Sequence, residues 1–459
     1  MYKIIIVGAG PGGYVAAIKA AQMGLKVALI EKHKIGGVCL NYGCIPTKTL
    51  LRSAKLYKDM MHASSFGIDI SNPSSIQINW PNMMERKNKV VTQLVGGIEQ
   101  LLRHNKVDVI QGEAKILDKH TLVVDGKQYQ CENLILATGS SVTMPNIPGL
   151  DEAFKNGHAI NSSGAIALNE QPKKLTVLGG GVIAVEFATL YSSLGTEVTL
   201  IQRSDSILKN LDKDVKRVMT RHLKKLGVKV ITNTSIDSIK GKTVHYTRKN
   251  KQEEITSDRI LVSLGRRANL KGLEVLNLKT DRGFVITDEH METSTKGVYA
   301  IGDLNGKYML AHVASAEGIL AVEAIMDDKK TIDYKKIPSC IYSFPEVGVV
   351  GYTEEEAMDA GFKVKTSLFP LSANGKALAE GESDGFVKLV YDDTYGEVLG
   401  VHIVASHATD MIAEAVASME LEATVHDLAK TVHPHPTLSE IVMEAAHGAL
   451  DQPIHIIKR

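Results

Sequence analysis

The stretch KIIIVGAGPGGYVAAIKAAQMGLKVALIE, residues 3–31, decides the fold of the N-terminal part of this chain. It has the pattern of a buried parallel strand, a glycine-rich turn, a helix and a second strand, which together form a βαβ unit. Gly8, Gly10 and Gly13 stand in GxGxxG spacing between the first strand and the helix. Such glycines permit a tight turn, a close approach of backbone to a pyrophosphate, and close helix packing, so the stretch predicts dinucleotide binding.

An acidic residue, Glu31, ends the second strand of this unit. A carboxylate in that position can hold the ribose hydroxyls of a nucleotide, while the helix directs the unpaired N–H groups of its first turn at the phosphates. A lone GxGxxG is weak evidence. Its place between a strand and a helix, with the acid after it, favours nucleotide binding over a purely structural glycine turn.

The βαβ pattern occurs a second time at residues 173–203, KKLTVLGGGVIAVEFATLYSSLGTEVTLIQR. Its glycines are Gly179 and Gly181, but Ala184 stands in the third position, and Gln202 stands where the first unit has its acid. Two dinucleotide-binding units in one chain indicate that electrons pass between two bound nucleotides. The sequence therefore predicts an oxidoreductase.

The composition is typical of a soluble globular protein with several domains. The chain has 459 residues, of which 44% are hydrophobic and 23% charged, and its formal net charge is +1. This length predicts about two to four domains, and the charge balance argues against binding to nucleic acid or to an anionic membrane surface. No apolar run approaches the length of a membrane span, and no signal segment precedes the first strand. We therefore expect a cytoplasmic location.

The remaining patterns extend this organisation along the chain. Helices are predicted at 47–62 and 82–104, and strands at 133–140, 259–267 and 297–303. Beyond the Ile-Pro pair that begins at residue 337, the pattern changes to antiparallel strands separated by turns, with two further helices. The predicted fold is α/β with two Rossmann-like domains, followed by an α+β domain of about 120 residues.

Four cysteines in so long a chain exclude a disulfide scaffold, but two of them form a close pair. Cys39 and Cys44 lie in GGVCLNYGCIPTKTLL, at a predicted loop–helix junction where a helix N-terminus lowers the pKa of a thiol. This favours a redox-active disulfide. Zinc is the alternative, although only His33 is near enough in sequence to add a ligand. Cys131 and Cys340 stand alone and are predicted to be small buried hydrophobic residues.

The segment HPHPTLSE near the C-terminus supplies His433, His435 and Glu440. A histidine followed a few positions later by a carboxylate can form a base and its orienting partner, because the carboxylate fixes the tautomer and raises the basicity. A proline-stiffened loop with surface histidines is the alternative interpretation of the same residues.

Four motifs in order resemble those of the flavoprotein disulfide reductases, the pyridine nucleotide–disulfide oxidoreductase family. They are GGVCLNYGCIPTK, GGGVIAVE, GVYAIGD and HPHPTLSE, and the resemblance covers essentially the whole chain. The last motif is similar to that of the dihydrolipoyl dehydrogenases within this family. The resemblance implies four domains: FAD-binding (1–146), NAD(P)-binding (147–267), a central domain completing the FAD site (268–336), and a dimerisation domain (337–459).

The same resemblance implies a homodimer with active sites shared between subunits, and it assigns catalytic roles. Cys39 is the expected interchange thiol, which exchanges disulfides with the substrate, and Cys44 is the thiol expected against the flavin. His435 is expected to act as the acid–base from the other subunit, held by Glu440. The implied reaction is the oxidation of dihydrolipoamide through the disulfide and FAD, with hydride transfer to NAD(P)+.

Further residues are expected at the two cofactors, and no metal site is expected. Lys48 is expected near the flavin N5, paired with Glu186 from the helix of the second unit. The residues expected to contact FAD are Gly8, Gly10, Gly13, Glu31, Gly37, Ala114, Thr138, Gly139, Asp303 and Ala311. Those expected at the nicotinamide nucleotide are Gly179, Gly181, Glu186, Ile236 and Gly265.

The second unit departs from the dihydrolipoyl dehydrogenase pattern at the position that separates NAD from NADP. The usual acid there repels a 2′-phosphate, but this chain has the neutral Gln202, followed by Arg203 and Lys209. Together with Ala184, these residues are similar to those of NADPH-using members of the family. The sequence therefore favours acceptance of NADP, while an ordinary NAD site with surface cations stays open.

Two other functions are compatible with parts of the sequence. One is an NADPH-dependent reductase of another small-molecule or protein disulfide. The other is a flavoprotein that only scaffolds a multienzyme complex, against which the cysteine pair and the His–Glu pair argue. Mercuric reductase is disfavoured because the tail DQPIHIIKR lacks a cysteine pair. The expected partner is a lipoyl domain of a 2-oxo acid dehydrogenase complex or of the glycine cleavage system.

Overall fold

The computed structural model describes residues 1–457 of the chain. The first part contains strands β1 (Tyr2–Val7), β2 (Val27–Glu31), β3 (Asp108–Gln111), β4 (Lys115–Ile116), β5 (Thr121–Val124), β6 (Lys127–Leu136) and β7 (Ser140–Val142). Its helices are α1 (Pro11–Gln22), α2 (Gly37–Tyr42), α3 (Cys44–Met61) and α4 (Trp80–His104). Strands β3, β2, β1 and β6 lie side by side and run parallel, and β5 and β4 continue the sheet in antiparallel order.

The second part repeats this architecture with a smaller parallel sheet. Its helices are α5 (Leu150–Lys155), α6 (Ser162–Ala165), α7 (Val182–Ser193) and α8 (Lys213–Lys225). Its strands are β8 (Ala159–Ile160), β9 (Lys174–Leu178), β10 (Glu197–Ile201), β11 (Lys229–Ile231), β12 (Thr234–Lys240), β13 (Thr243–Arg248), β14 (Lys251–Thr256), β15 (Arg259–Val262) and β16 (Arg266–Ala268). The parallel order is β11–β10–β9–β15–β8, and β12, β13 and β14 form a separate antiparallel sheet.

The chain then returns to the first sheet. The elements of this stretch are β17 (Thr280–Asp281), β18 (Phe284–Val285), β19 (Val298–Ala300) and α9 (Ala311–Ile325). Strand β19 pairs in parallel with β6, so the turn that follows β19 lies at the same carboxyl edge as the turn that follows β1. Side chains from distant parts of the sequence can therefore meet at this edge.

The C-terminal part is an antiparallel sheet covered by helices. Its strands are β20 (Ser339–Ile341), β21 (Glu346–Gly351), β22 (Val364–Pro370), β23 (Phe386–Asp392) and β24 (Val398–Ala405). Its helices are α10 (Glu354–Asp359), α11 (Gly375–Ala379), α12 (Ala408–Glu420), α13 (Val425–Lys430) and α14 (Glu440–Ala449). The strand order is β20–β21–β24–β23–β22. None of the helices between residues 1 and 457 has the length and apolar character that a bilayer crossing requires.

The predicted fold class is confirmed by two parallel sheets with βαβ turns and an α+β C-terminal part. The predicted helices at 47–62 and 82–104 correspond to α3 and α4. The strands predicted at 133–140 and 259–267 are each interrupted. Glycines with positive φ, Gly139 at +68° and Gly265 at +106°, bend the chain there. The bent segments then pair with each other as β7 and β16.

Candidate active site

The first glycine turn joins β1 to α1 and leaves one side of its backbone open. Gly8 has a φ of +104°, and a Cβ placed on it would overlap the carbonyl oxygen of Ala137. A Cβ on Gly13 would overlap the carbonyl oxygen of Gly8, whereas nothing lies within 4 Å of a Cβ placed on Gly10. The turn therefore requires glycine at both ends and exposes its middle, as the close approach of a pyrophosphate demands.

Glu31 and Gly37 lie beside this first turn. Glu31 is 8% exposed, and its carboxylate accepts hydrogen bonds from the backbone N–H of Ala9 at 2.8 Å and of His33 at 2.7 Å. A Cβ on Gly37 would lie 2.7 Å from the Cα of Gly10. These contacts fix a carboxylate and a second glycine-rich segment at the turn, and together they fit an adenine dinucleotide such as FAD.

The second glycine turn, between β9 and α7, has the same shape with one difference. Gly179 has a φ of +116°, a Cβ on it would overlap the carbonyl oxygen of Ser263, and a Cβ on Gly181 meets nothing within 4 Å. At the third position the turn accommodates the real Cβ of Ala184, which is fully buried. The second unit therefore offers the same open backbone with less crowding between turn and helix.

Gln202 lies next to the second turn but is held differently from Glu31. Its Nε2 donates a 2.6 Å hydrogen bond to Ser204 Oγ within its own loop, and a Cβ on Gly180 would lie 3.0 Å from its Cγ and Cδ. The loop is tied to the turn because the Leu208 N–H donates to the carbonyl oxygen of Gly180 at 2.7 Å. No carboxylate repels a 2′-phosphate from this position.

A cleft of about 540 Å³ separates the second turn from the C-terminal sheet. Lys209 lines it, whereas Arg203 is exposed and lies outside its wall. Within residues 1–457, neither cation has a hydrogen-bond or ion-pair partner. The walls come from the second part of the chain, from the segment between β19 and β20 and from the C-terminal part, and include Gly180, Gly181, Gln202, Tyr308, Lys335 and His402.

The two paired cysteines lie on consecutive helices. Cys39 belongs to the short helix α2, where the sequence predicts a loop, and Cys44 is the first residue of α3, at its N-terminus. Gly43, with φ −139° and ψ −103°, separates the two helices and turns the chain back, so the two sulfurs meet. Both are free thiols in the structure. Among residues 1–457, no three His, Cys, Asp or Glu side chains group closely enough to hold a metal ion.

The two thiols have different acidities because they share one hydrogen bond. Donation to the Cys44 sulfur raises the pKa of Cys39 above its usual range, and burial raises it further. Acceptance of that bond lowers the pKa of Cys44 to about 7; burial opposes this shift, and the charge of Lys48 adds to it. Cys44 therefore holds the negative charge when one proton leaves the pair.

Lys48 and Glu186 join the first part of the chain to the second beside Cys44. Lys48 Nζ donates to both Glu186 oxygens at 3.0 Å, and the exposed fraction of the Glu186 side chain is 5%. The C-terminal part also contributes, because the Tyr342 N–H donates to Glu186 Oε1 at 3.0 Å and Lys48 Nζ lies 4.4 Å from the centroid of the Tyr342 ring. A cation over an aromatic face is attracted to it.

Asp303 stands at the turn after β19, at the carboxyl edge of the first sheet. Its carboxylate accepts a hydrogen bond from Ser140 Oγ and lies 3.6 Å from Nε of Arg266. Arg266 in turn donates to Ser140 Oγ at 2.7 Å and to the Ser140 carbonyl oxygen at 2.8 Å. The carboxylate is therefore oriented by the β7–β16 pair.

His435 and Glu440 form a hydrogen-bonded pair on the surface of the subunit. His435 Nδ1 lies 2.9 Å from Glu440 Oε1, and the His435 side chain is 79% exposed. Burial raises the pKa of Glu440, but hydrogen bonds from the Thr437 N–H and from His435 outweigh burial and hold that pKa below its usual value. Glu440 thus stays an acceptor, and the other ring nitrogen of His435 faces outward.

The remaining predicted residues occupy varied positions. Thr138 Oγ1 donates to the carbonyl oxygen of Asn269 at 2.9 Å, and Ala311 is the first residue of α9. Ala114 and Ile236 are partly buried and pack against the apolar cores of the first and second parts, respectively. Gly139 and Gly265 occupy the bends described above.

Sequence reasoning missed three residues that orient the site: Tyr342, Ser140 and Arg266. Tyr342 acts through its backbone N–H, which no side-chain motif reveals, and it lies 156 positions from Glu186. Ser140 and Arg266 follow the two glycines that interrupt the predicted strands. Those glycines are the one signal in the sequence that a paired bend was present.

Comparison with known proteins identifies relatives along the whole chain. The family model described as pyridine nucleotide-disulphide oxidoreductase matches residues 2–318, and the model of its dimerisation domain matches 337–446. Dihydrolipoyl dehydrogenase of Mycoplasma pneumoniae is 43% identical over 453 residues and covers 98% of both chains. Dihydrolipoyl dehydrogenase of Bacillus subtilis is 42% identical, covering 99% of this chain and 97% of its own.

A solved structure shows the same architecture. The HOCl-induced flavoprotein disulfide reductase RclA from Escherichia coli, as its Cu(II) complex, is similar with a TM-score of 0.86 at 26% identity, covering 97% of this chain and 98% of that chain. Flavoprotein disulfide oxidoreductases use FAD and a pyridine nucleotide, and the match to a dimerisation domain indicates a homodimer. Because relatives match it almost from end to end, this chain belongs to the pyridine nucleotide-disulphide oxidoreductase family of enzymes.

Proposed function

We propose that this chain oxidises dihydrolipoamide to lipoamide by disulfide exchange at Cys39 and Cys44, with FAD and a pyridine nucleotide as electron carriers. The observation that carries the proposal is the exposed His435 ring held by Glu440. A dithiol substrate needs such a base, because a thiolate rather than a thiol attacks a disulfide. The full-length similarity to proteins named dihydrolipoyl dehydrogenase supports the same substrate.

The first half of the reaction uses the side chains of the protein itself. In the oxidised protein Cys39 and Cys44 form a disulfide, and His435 of a second copy takes the proton from one substrate thiol. The resulting thiolate attacks the sulfur of Cys39. The bond between the two cysteines breaks, Cys44 leaves as a thiolate, and the substrate is joined to Cys39 by a mixed disulfide.

The second substrate thiol completes the exchange. It attacks the substrate sulfur bound to Cys39, which closes the lipoamide disulfide, and its proton passes to Cys39 as that thiol leaves. The attack is intramolecular and needs no new encounter. The products are a Cys39 thiol and a Cys44 thiolate, which is the distribution that their opposite pKa shifts favour. Bound FAD supplies the two-electron oxidation that restores the disulfide, and the nucleotide accepts the hydride.

The cofactor-binding residues and the domain boundaries are part of this proposal. Lys48, held by Glu186, lies beside Cys44 and stabilises the thiolate. The residues assigned to FAD are Gly8, Gly10, Gly13, Glu31, Gly37, Ala114, Thr138, Gly139, Asp303 and Ala311. Those assigned to the nucleotide are Gly179, Gly181, Glu186, Gln202, Arg203, Lys209, Ile236 and Gly265. The proposed domains are 1–146, 147–267, 268–336 and 337–459.

The nucleotide site is proposed to accept NADP in addition to NAD. Two observations support this: Gln202 places no negative charge beside the second turn, and Lys209 is an unpaired cation in the wall of the cleft. A cation at hydrogen-bond distance from a phosphate forms one of the stronger contacts available to a protein. Arg203 lies outside the cleft wall, so the proposal depends mainly on Lys209.

The biological setting is likewise a proposal. The substrate is dihydrolipoamide carried on a lipoyl domain of a 2-oxo acid dehydrogenase complex or of the glycine cleavage system, and the expected location is the cytoplasm. The exposed His435 supports an active site shared between two subunits. Within its own subunit the ring is hydrogen-bonded to Glu440 and otherwise exposed, so it is available to the active site of a second copy.

The experiment that tests the function is a side-by-side measurement of kcat/KM for dihydrolipoamide oxidation with NAD+ and with NADP+, using the flavin-loaded dimer. Turnover with either nucleotide supports the dehydrogenase, and a Cys44→Ser variant is expected to abolish it together with the long-wavelength flavin–thiolate absorption of the reduced protein. If the Cys44→Ser variant still oxidised dihydrolipoamide, the disulfide mechanism would be wrong.

A second candidate function is an NADPH-dependent reductase of another disulfide. Two observations favour it: the similarity to a solved flavoprotein disulfide reductase, and the presence of Gln202 where NAD-dependent relatives are expected to carry an acidic residue. It predicts that the wild-type protein consumes NADPH with other small or protein disulfides and fails to oxidise dihydrolipoamide with either nucleotide. The same assay therefore separates the two functions.

A further inference from the structure

The HPHP segment presents one histidine outward and buries the other. The His435 side chain is 79% exposed, whereas the His433 side chain is 4% exposed. Apart from His433, all residues from 431 to 436 are exposed, including Val432 at 92%. The buried His433 ring therefore anchors this segment to the body of the subunit, together with Thr431, whose Oγ1 donates to the Asp427 carbonyl oxygen at 2.8 Å.

Both ring nitrogens of His433 face acceptors. His433 Nε2 lies 2.6 Å from Glu414 Oε1, and Nδ1 lies 2.9 Å from the carbonyl oxygen of Thr431. A backbone carbonyl can only accept a hydrogen bond, and so can a carboxylate. Both sides of the ring therefore meet an acceptor, and the ring is held between Glu414 and the backbone of Thr431.

The His433–Glu414 contact connects the catalytic segment to a long helix of the C-terminal part. Glu414 belongs to α12, while His433 follows α13 and precedes His435 by one proline. A hydrogen bond in which one partner is ionised, such as the Glu414 carboxylate, is roughly twice as strong as a neutral one. The bond to the Thr431 carbonyl fixes the ring from its other side, so the segment is held at a defined distance from α12.

The far side of the segment is fixed by a separate set of contacts. Thr437 Oγ1 donates to the Pro434 carbonyl oxygen at 2.8 Å, and Asn374 Nδ2 donates to the Thr437 carbonyl oxygen at 3.0 Å. These bonds hold the part of the segment that leads to Glu440. In the part before His435, His433 is the side chain that contacts α12.

We infer that His433 and Glu414 are positioning residues for the acid–base His435, because the contact between the buried His433 ring and Glu414 anchors the segment from which His435 is presented to the substrate. The inference rests on the proposed dithiol oxidation. A displacement of about 1 Å at a catalytic group can cost up to about a hundredfold in rate. Loss of this anchor should therefore slow proton transfer without disturbing the cofactors.

The test compares two activities of the full-length, flavin-loaded dimer carrying His433→Gln, Glu414→Gln or both substitutions. Dihydrolipoamide oxidation needs His435, whereas the reduction of ferricyanide by the reduced nucleotide does not need the dithiol site. We expect kcat for dihydrolipoamide to fall about tenfold to a hundredfold in each single variant, with ferricyanide reduction unchanged. The double variant should lose no more than the worse single variant, because both remove the same contact.

A matched control is His245→Gln, which removes another histidine–glutamate contact, His245 Nδ1 to Glu254 Oε2 at 3.3 Å, on the separate antiparallel sheet of the second part. It should leave both activities unchanged. A retained kcat in His433→Gln and Glu414→Gln would overturn the inference, and so would a parallel loss of both activities, which indicates a purely structural role.

The Glu414→Gln variant guards against a folding defect, because the Glu414 side chain is 28% exposed and glutamine has nearly the same shape, while the loss of the negative charge weakens the contact with His433. Failure of the wild-type protein to oxidise dihydrolipoamide would remove the proposed function itself, and this inference with it. If the wild-type protein oxidised dihydrolipoamide and the His433 and Glu414 variants did so equally well, only the inference about these two residues would be wrong.

Discussion

Lys48 Nζ donates to both carboxylate oxygens of Glu186 at 3.0 Å, although the two residues are 138 positions apart in the chain. This bidentate contact joins α3 to α7, and Cys44 is the first residue of α3. The charge of the lysine lowers the pKa of Cys44, and the charge of the glutamate raises it. The hydrogen bond from Cys39 is the largest influence on the pKa of Cys44, and the Lys48–Glu186 pair adjusts that pKa further.

Substitution of Lys48 and substitution of Glu186 should shift the pKa of Cys44 in opposite directions. Lys48→Met removes the cation and should raise the pKa of Cys44 from about 7 by about one unit or more. Glu186→Gln removes an anion and should lower it. The measurement is the rate of iodoacetamide alkylation of the dithiol-reduced protein against pH, with Cys44 identified by mass spectrometry. Shifts of the same sign in both variants would contradict this assignment.

Glu440→Gln should reduce turnover while leaving cofactor binding intact. An amide can present its NH₂ group to His435 Nδ1 and so stabilise the wrong tautomer, whereas the carboxylate can only accept. We expect a loss in kcat for dihydrolipoamide of about a hundredfold. Glu420→Gln, on the exposed end of α12, is the control. Full activity in Glu440→Gln would show that His435 needs no orienting carboxylate.

Lys209→Ala should weaken the binding of NADP+ more than the binding of NAD+ if this cation contacts a 2′-phosphate. The expected change is an increase of about tenfold in KM for NADP+, equivalent to ~1.4 kcal/mol of binding free energy, with little change for NAD+. Arg203→Ala tests the cation outside the cleft wall and is expected to have the smaller effect. Equal effects of Lys209→Ala on both nucleotides would argue against phosphate recognition.

Lys388→Met should destabilise the whole protein. Lys388 on β23 is 2% exposed, and its Nζ contacts Asp212 at 2.9 Å, Asp214 at 3.0 Å and Glu354 at 2.8 Å. Burial lowers the pKa of this lysine, but the three carboxylates outweigh burial and raise it. Removal leaves the buried Asp212 without a cation, while Asp214 and Glu354 keep Arg217 and Lys213 as partners. An uncompensated buried charge typically costs about 3–5 kcal/mol.

The measurement for Lys388→Met is the free energy of unfolding from urea titration of the flavin-loaded dimer. Lys365→Met is the control, because Lys365 lies on the neighbouring strand β22, is 58% exposed, and pairs with Asp393 at the surface. An exposed pair of this kind contributes at most about 1 kcal/mol. Equal destabilisation by both substitutions would contradict the importance of the buried cluster.

The sequence was sufficient for the parts of the molecule that local chemistry decides. Two strand–glycine–helix patterns predicted both parallel units, because only glycine tolerates the overlap at Gly8 and at Gly179. The same local reasoning failed for strand ends. The predicted strands at 133–140 and 259–267 are each interrupted by a glycine bend, and β7 exists only because β16 pairs with it.

Taken alone, the sequence determined the two nucleotide-binding turns, the cysteine pair and the histidine–glutamate spacing, because each depends on neighbours within a few residues or one strand–turn–helix unit. The tertiary structure decided which distant groups meet. Docking of three sheets brought Tyr342 to Glu186, Arg266 to Asp303 and Lys388 to Asp212. Packing against α12 buried one histidine of HPHP and left the other exposed. Such differences arise because burial and counter-charge depend on how sheets pack in space, which the spacing of residues along the chain does not record.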